Sequence, residues 1–238
     1  MKFVMQQNKF QILCTRPLDS TLIQEANTAG IAIDEISFIE TAPIKTQEVK
    51  QQIVQAVLSP ATIVFTSMNA VDAVVAQKHN LQTDWSIYCI GTTTNKLVSL
   101  YFGENSISGT ANSAVELAHL IVEDRFAENV IFFCGDQRRE ELPEILSKSN
   151  IEVKEIVVYE TIIVPHQISK QYDGILFFSP SAVDSFFSTN IIKQKTILFA
   201  IGNTTATAIK KFTNNTIIIS DAPGKENLVH TMIKHFSE

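Results

Sequence analysis

Ile63-Val64-Phe65-Thr66-Ser67-Met68-Asn69-Ala70-Val71-Asp72 is answered, position by position, by Ile175-Leu176-Phe177-Phe178-Ser179-Pro180-Ser181-Ala182-Val183-Asp184. In each copy an apolar run breaks at a short polar turn and passes into Ala-Val-Asp. A second element follows each. Ile87-Tyr88-Cys89-Ile90 ends in Gly91-Thr92-Thr93-Thr94, and Ile197-Leu198-Phe199-Ala200-Ile201 ends in Gly202-Asn203-Thr204-Thr205. Ala70 and Ala182 stand 112 residues apart, Gly91 and Gly202 111 apart. An offset held over two elements marks an internal duplication. Buried strand, Ser/Thr/Gly turn and helix in repetition is the pattern of a parallel sheet wrapped in helices.

Outward from this core, the opening of the chain reads as a strand from Phe10 to Thr15, stopped at Arg16-Pro17. A helix over Asp19–Thr28 is closed at Gly30, and a strand follows over Ala32–Ile39. Glu40-Thr41-Ala42-Pro43 breaks the pattern, and Val49, Ile53, Val54 and Val57 give helical spacing over Thr46–Leu58. After the first copy come a short strand at Ser106–Ser108 turning at Gly109-Thr110, and a helix over Ser113–Asp124. The stretch from Val130 to Val158 then mirrors the opening: Ile131 to Cys134 answers Ile12 to Cys14. Gly135-Asp136 is expected to open a helix through Lys148, and Asn150 stands in for Gly30. Ile151–Tyr159 is the answering strand, and Tyr159-Glu160-Thr161 lines up with Ile39-Glu40-Thr41. The second copy closes with strand Thr216–Ser220, the turn Asp221-Ala222-Pro223-Gly224 and a last helix to His235.

The opening strand–helix–strand is too small to fold alone, and so is the three-strand block after Tyr172. Together they supply five parallel strands, enough for a small doubly wound sheet. The intervening stretch supplies another five, at Ile63, Ile87, Ile107, Ile131 and Val153. The expected architecture is therefore α/β, with two doubly wound parallel-sheet domains, one inserted in the other. Residues 1–39 and 167–238 form the outer domain and 44–162 the inserted one. Segments 40–43 and 163–166 are expected to lie side by side as a two-stranded hinge.

Composition narrows the function classes. At 238 residues, 45% hydrophobic and 18% charged, the chain can fill two cores. A net charge of −6 argues against nucleic acid or an anionic membrane as partner. No apolar run reaches the ~20 residues of a membrane span, and the first ten residues lack a signal-peptide core, so a cytoplasmic location is expected. The three cysteines, Cys14, Cys89 and Cys134, read as reduced thiols in strand cores. The five histidines lack ligand spacing, so no metal site is expected. Dinucleotide, P-loop and nucleophile-elbow motifs are missing.

In open parallel sheets, ligands bind beyond the carboxyl ends of the strands. Those ends carry Thr15-Arg16, Thr66-Ser67-Met68-Asn69, Gly91-Thr92-Thr93, Gly109-Thr110 and Gly135-Asp136. The outer domain adds Ser179-Pro180-Ser181, Gly202-Asn203-Thr204-Thr205 and Asp221 to Gly224. Most precede a helix, whose unpaired N–H groups and dipole favour anions. Each hydroxyl taken singly reads as a helix cap. The set, facing a cleft between two hinged domains, suits a ligand with several carboxylates or phosphates. Tyr159 ends a strand beside the hinge, where its phenol either packs or projects into the gap.

Phe65 to Val71 (F-T-S-x-N-A-V), Ile90 to Thr94 (I-G-x-x-T), Val158 to Thr161 (V-Y-x-T), Phe178 to Val183 (F-S-P-S-A-V), Ile201 to Thr205 (I-G-x-T-T) and Thr15-Arg16-Pro17 together resemble the uroporphyrinogen-III synthase family. The resemblance runs from about Phe10 to Phe236 and rests on the order and spacing of the motifs. It implies two flavodoxin-like domains, one inserted in the other, and a cofactor-free cyclase acting as a monomer. The implied reaction takes linear hydroxymethylbilane, expels the ring A hydroxyl as water and closes the macrocycle with ring D inverted. Its substrate carries eight carboxylates, which suits helix N-termini and hydroxyls. By position, Tyr159 matches the tyrosine that assists hydroxyl loss in the family. Ser67, Thr92, Ser179, Ser181, Thr204 and Thr205 match hydroxyls expected at the substrate carboxylates, with Asn69 and Gly202 in the same turns and Arg16 as a charged contact. Asn203 stands where the family often has proline, and Ala182 where it often has glycine. The rival readings are a two-domain binding protein for a small polyanion and a flavodoxin-type electron carrier.

Overall fold

The computed structural model describes residues 9–77, 82–124, 127–222 and 224–237. The expectations made for the first eight residues, His79 and Pro223 lie outside the described residues. The chain divides into two compact units, one built from the segment ending at Glu40 and the segment beginning at Ile162, the other from Thr41–Thr161.

The first unit opens with β1 (Phe10–Cys14), α1 (Ser20–Thr28) and β2 (Ile31–Glu35) and resumes with β9 (Gly174–Phe177), α7 (Pro180–Thr189), β10 (Ile197–Ala200), α8 (Asn203–Lys210), β11 (Ile217–Ile219) and α9 (Lys225–Ser237). Its five strands are all parallel, in the order β11-β10-β9-β1-β2. The second unit contains α2 (Gln47–Val57), β4 (Ala61–Phe65), α3 (Met68–Val75), β5 (Trp85–Ile90), α4 (Gly91–Phe102), β6 (Ile107–Ala111), α5 (Ala114–Asp124), β7 (Asn129–Gly135) and α6 (Glu141–Lys148). β3 (Ile39–Pro43) and β8 (Glu152–Ile163) run across the unit boundaries. The second sheet has the order β3-β8-β7-β4-β5-β6. Its parallel part, β8-β7-β4-β5-β6, is the first sheet's pattern with β4, β5 and β6 in the places of β9, β10 and β11, and β7 and β8 in those of β1 and β2. The register repeats as well: Ile63 pairs with Ile87, and Ile175 with Leu198. The duplication read in the sequence is thus a duplication of topology, permuted in chain order.

Both sheets are covered on both faces, which is why their strands read as continuous apolar runs rather than as alternation. In β4, Ile63 and Phe65 point into one core with Phe133, Val71 and Trp85, while Val64 points into the other with Phe132, Leu117 and Leu146. In β1, Leu13 joins Phe177 and Phe186 while Ile12 and Cys14 join Phe199 and Val229. Stacked Phe65 and Phe133 rings, 5.5 Å apart, and the Trp85 indole N–H donating to the Ala56 carbonyl at 2.9 Å fix the packing of the second unit. Gly30 (φ 76°) and Asn150 (φ 59°) close α1 and α6 in the left-handed region, so asparagine does take the role of glycine.

Four expectations change. The strand expected over Ala32–Ile39 is two, β2 and β3, because the chain leaves the first sheet after Glu35. β3 then pairs beside β8, so the second sheet has six strands rather than five. Gly109-Thr110 is not a turn but lies inside β6: a Cβ on Gly109 would come within 2.6 Å of Leu120 and 2.9 Å of Tyr88, so the glycine serves close packing. α6 begins at Glu141 rather than at Asp136, since Arg138 is drawn into ion pairs with Glu155 on β8 and with Glu140. Arg139 is exposed, 4.0 Å from Glu141.

Candidate active site

Apart from Tyr159, which lies within β8, each unit places its candidate residues at or just beyond the carboxyl ends of its own strands, next to helix starts. In the first unit, β1 ends with Thr15 buried, its hydroxyl donating to the Leu176 carbonyl at 2.8 Å. That bond ties β1 to β9 and turns Arg16 outward. The exposed Arg16 guanidinium lies 5.6 Å from the centre of the Phe178 ring. Ser179, next on β9, caps α7: its Oγ accepts from the Ala182 N–H at 3.2 Å, with Pro180 at the first helical position. Ser181 is half-buried in the first turn. Gly202 precedes α8 with extended backbone (φ −178°), and Thr204 is exposed in that helix's first turn. Thr205 is 1% exposed and faces the core, so its hydroxyl does not join Thr204 at the surface.

Lys225, which the sequence reading passed over, starts α9, and its ammonium lies 3.3 Å from the Pro17 carbonyl. This edge therefore carries two cations, Arg16 and Lys225. Both act on the Cys14 thiol, yet burial outweighs them and pushes that thiol up to about 12. The same cause raises Cys134 to about 12 and Cys89 to about 11. All three thiols are free, buried and unreactive at neutral pH.

In the second unit, Ser67 caps α3, its Oγ accepting from the Asn69 N–H at 3.1 Å. Thr92 is exposed in the first turn of α4, which begins at Gly91. A serine that accepts a capping bond still has its own O–H free to donate to a carboxylate, so capping and binding are compatible. Tyr159 was expected to end its strand, but β8 runs on to Ile163; what ends there is the parallel pairing with β7, at Gly135 and Tyr159. The Asp136 N–H donates to the Tyr159 carbonyl at 3.1 Å, and Asp136 Oδ1 accepts from the Thr161 N–H at 2.9 Å. Tyr159 is half-buried and lines a pocket of about 200 Å³ with Thr41, Ala42, Pro43, Asn69 and Asp72. Tyr159 and Asn69 thus meet in one pocket of this unit. Asp72 and the β3 residues were not foreseen; only the strand pairing brings β3 there.

No helix among the described residues is long and apolar enough to cross a membrane.

The family model for uroporphyrinogen-III synthase HemD matches residues 20–230. Among solved structures, the chain is similar to uroporphyrinogen-III synthetase from Helicobacter pylori, with 17% identity and a TM-score of 0.66 over 95% of this chain and 99% of the other. It is similar too to a mutant uroporphyrinogen III synthase from Thermus thermophilus, with 11% identity and a TM-score of 0.60 over 95% and 97%. Identities this low speak for the fold alone, the two-domain α/β architecture with parallel sheets. Because the family match spans most of the sequence, the chain belongs to the uroporphyrinogen-III synthase family of cyclising lyases in heme biosynthesis.

Proposed function

We propose that this chain converts linear hydroxymethylbilane to uroporphyrinogen III, and that Tyr159 assists loss of the ring A hydroxyl. The observation that carries this reading is the pocket lined by Tyr159 together with Asn69, which stands at the start of α3. A phenol holds its proton at neutral pH and can donate it to a leaving hydroxyl. The hydroxyl leaves as water, and the resulting azafulvene cation is attacked by the substituted carbon of ring D. A spiro intermediate forms, rearranges to invert ring D and loses a proton. The covalent steps need little from the protein beyond that first proton; holding the chain so that the inverting path is taken supplies the selectivity.

The eight carboxylates of the substrate are matched by hydroxyls at helix starts: Ser67 and Thr92 in the second unit, Ser179, Ser181 and Thr204 in the first, with Arg16 and Lys225 adding charge. Gly202 opens backbone N–H groups at the start of α8, and the buried Thr205 is left out of the set. A protein of net charge −6 can bind a polyanion in this way because local N–H groups and dipoles act at short range, where the overall charge is screened. The three buried thiols suit a reducing compartment, and we assign the reaction to the cytoplasm and to a monomer without cofactor.

The test is a coupled assay supplying fresh hydroxymethylbilane, with products oxidised and the uroporphyrin I and III isomers separated. Spontaneous closure gives isomer I, so dominant isomer III is the expected result, and isomer I alone from folded protein would overturn the proposal. Tyr159→Phe is expected to fold normally and turn over slowly.

A further inference from the structure

The Tyr159 ring reaches its pocket by an irregularity in the sheet. Along β8, Ile156 and Val158 point into the core shared with Phe65 and Phe133, while Val157 points to the opposite face. Regular alternation would send Tyr159 after Val157. Instead, the register between β7 and β8 shifts: Cys134 pairs with Val157, but Gly135 pairs with Tyr159. This bulge turns Tyr159 to the same face as Val158, and its ring packs at the edge of that same core.

The ring then lies against Gly135. A Cβ on Gly135 would sit 2.4 Å from Cζ, 2.5 Å from Cε2 and 2.7 Å from the hydroxyl oxygen of Tyr159. These are the phenol end of the ring, the atoms that matter for proton donation. Backbone conformation does not call for glycine here, because Gly135 is not among the residues with positive φ. The three atoms nearest that Cβ all belong to Tyr159, so the bare Cα gives the ring its room. Asp136 clamps the strands immediately beyond, through the Tyr159 carbonyl and the Thr161 N–H.

We propose that Gly135 is a positioning residue for Tyr159: its missing side chain is the seat on which the phenol rests, and the bulge with its Asp136 clamp holds the ring on that seat. The inference rests on the reading of Tyr159 as proton donor. A methyl group at Gly135 would occupy the phenol's place, and because the ring is the mobile partner, the fold persists while the phenol moves. A displacement of about 1 Å at a reacting group costs up to roughly 100-fold in rate.

Gly135→Ala, Tyr159→Phe, Tyr159→Ala and the double variant Gly135→Ala/Tyr159→Ala are compared in the isomer III assay and in urea unfolding. Gly135→Ala is expected to lower kcat roughly 10- to 100-fold with KM within about twofold. In the Tyr159→Ala background it has no further effect on kcat, and the two positions couple in the unfolding cycle. Wild-type kcat in Gly135→Ala alongside an impaired Tyr159→Phe overturns the positioning role. A further loss in the double variant assigns the effect to the backbone and overturns it too. Wild-type kcat in Tyr159→Phe removes the proton-donor reading underneath, while the unfolding cycle still reports whether the ring sits on Gly135. Should Gly135→Ala fail to fold, rescue by Tyr159→Ala shows the clash. Asp136→Ala, which frees the Thr161 N–H, then carries the kcat readout and is expected to lower it without raising KM.

Discussion

Ser179 is asked to do two things, to cap α7 and to donate to a substrate carboxylate, and one pair of substitutions separates them. Its Oγ accepts from the Ala182 N–H at 3.2 Å while its own proton stays free. Ser179→Ala removes both roles. Loss of the cap costs about 1 kcal/mol, which lowers the melting temperature by roughly 2–4 °C in a protein of this size. Loss of a hydrogen bond to a charged ligand costs about 1.5–3 kcal/mol, roughly a 10- to 150-fold fall in kcat/KM. Ser179→Asp keeps the cap, since aspartate accepts the same bond and its charge favours the helix N-terminus by about 0.3–1 kcal/mol. It removes the donor and sets an anion against an anion. Ser179→Asp is therefore expected to melt at or above the wild-type temperature while losing at least as much kcat/KM as Ser179→Ala. The assay is isomer III formation under initial-rate conditions, beside thermal unfolding by circular dichroism. Wild-type kcat/KM in Ser179→Asp would refute carboxylate binding at this turn and leave Ser179 a cap alone.

Asn190, 8% exposed, accepts from the Ile168 N–H at 2.7 Å and donates to the carbonyls of His166 at 2.7 Å and Phe186 at 2.8 Å. Asn190→Ala is expected to cost about 2–3 kcal/mol in urea unfolding by stranding those groups, with kcat unchanged. The thiols predict an alkaline limit. Cys14, Cys89 and Cys134 are raised by burial from 9.0 to about 12, 11 and 12, so the folded state keeps them neutral. Their contribution is fully present below pH 9 and is lost as pH rises toward the folded values, because the unfolded chain ionises first. Urea midpoints under reductant should fall from pH 9 to 11, less steeply in Cys89→Ala; parallel, flat profiles would refute this.

What could be read in the sequence was whatever repeats or punctuates. The paired copies around Ser67 and Ser179 and the stops at Gly30 and Asn150 carry their own local signals, and the two-sheet pattern followed from them. What could not be read depends on pairing across the chain. β3 looks like a broken tail to β2 until β8 stands beside it. Gly109 looks like a turn because the demand for a bare Cα comes from Leu120 and Tyr88 on other elements. Gly135 looked like a helix start for the same reason, and Arg138 hides its partner Glu155 seventeen positions away on β8. The candidate site was legible only as a set of strand ends. The pocket around Tyr159 was not, because Pro43 and Asp72 reach it only through the fold.

The two copies of the second turn have diverged in backbone conformation. Gly91 stands at φ 72°, in the left-handed region that a side chain rarely adopts, so glycine there is explained by its own backbone. Gly202, its counterpart, is extended at φ −178°, a conformation open to any residue, and a Cβ placed on it meets nothing within 4 Å. Neither strain nor crowding within the protein accounts for glycine at 202. The role proposed for Gly202, close approach of a substrate carboxylate to the backbone N–H groups that open α8, is what a substitution here tests. Gly91→Ala is therefore expected to cost about 1 kcal/mol or more in stability. Gly202→Ala should melt like the wild type, or slightly higher as the unfolded chain loses freedom, yet lose kcat/KM by raising KM. Full activity in a stable Gly202→Ala would place no substrate at this turn.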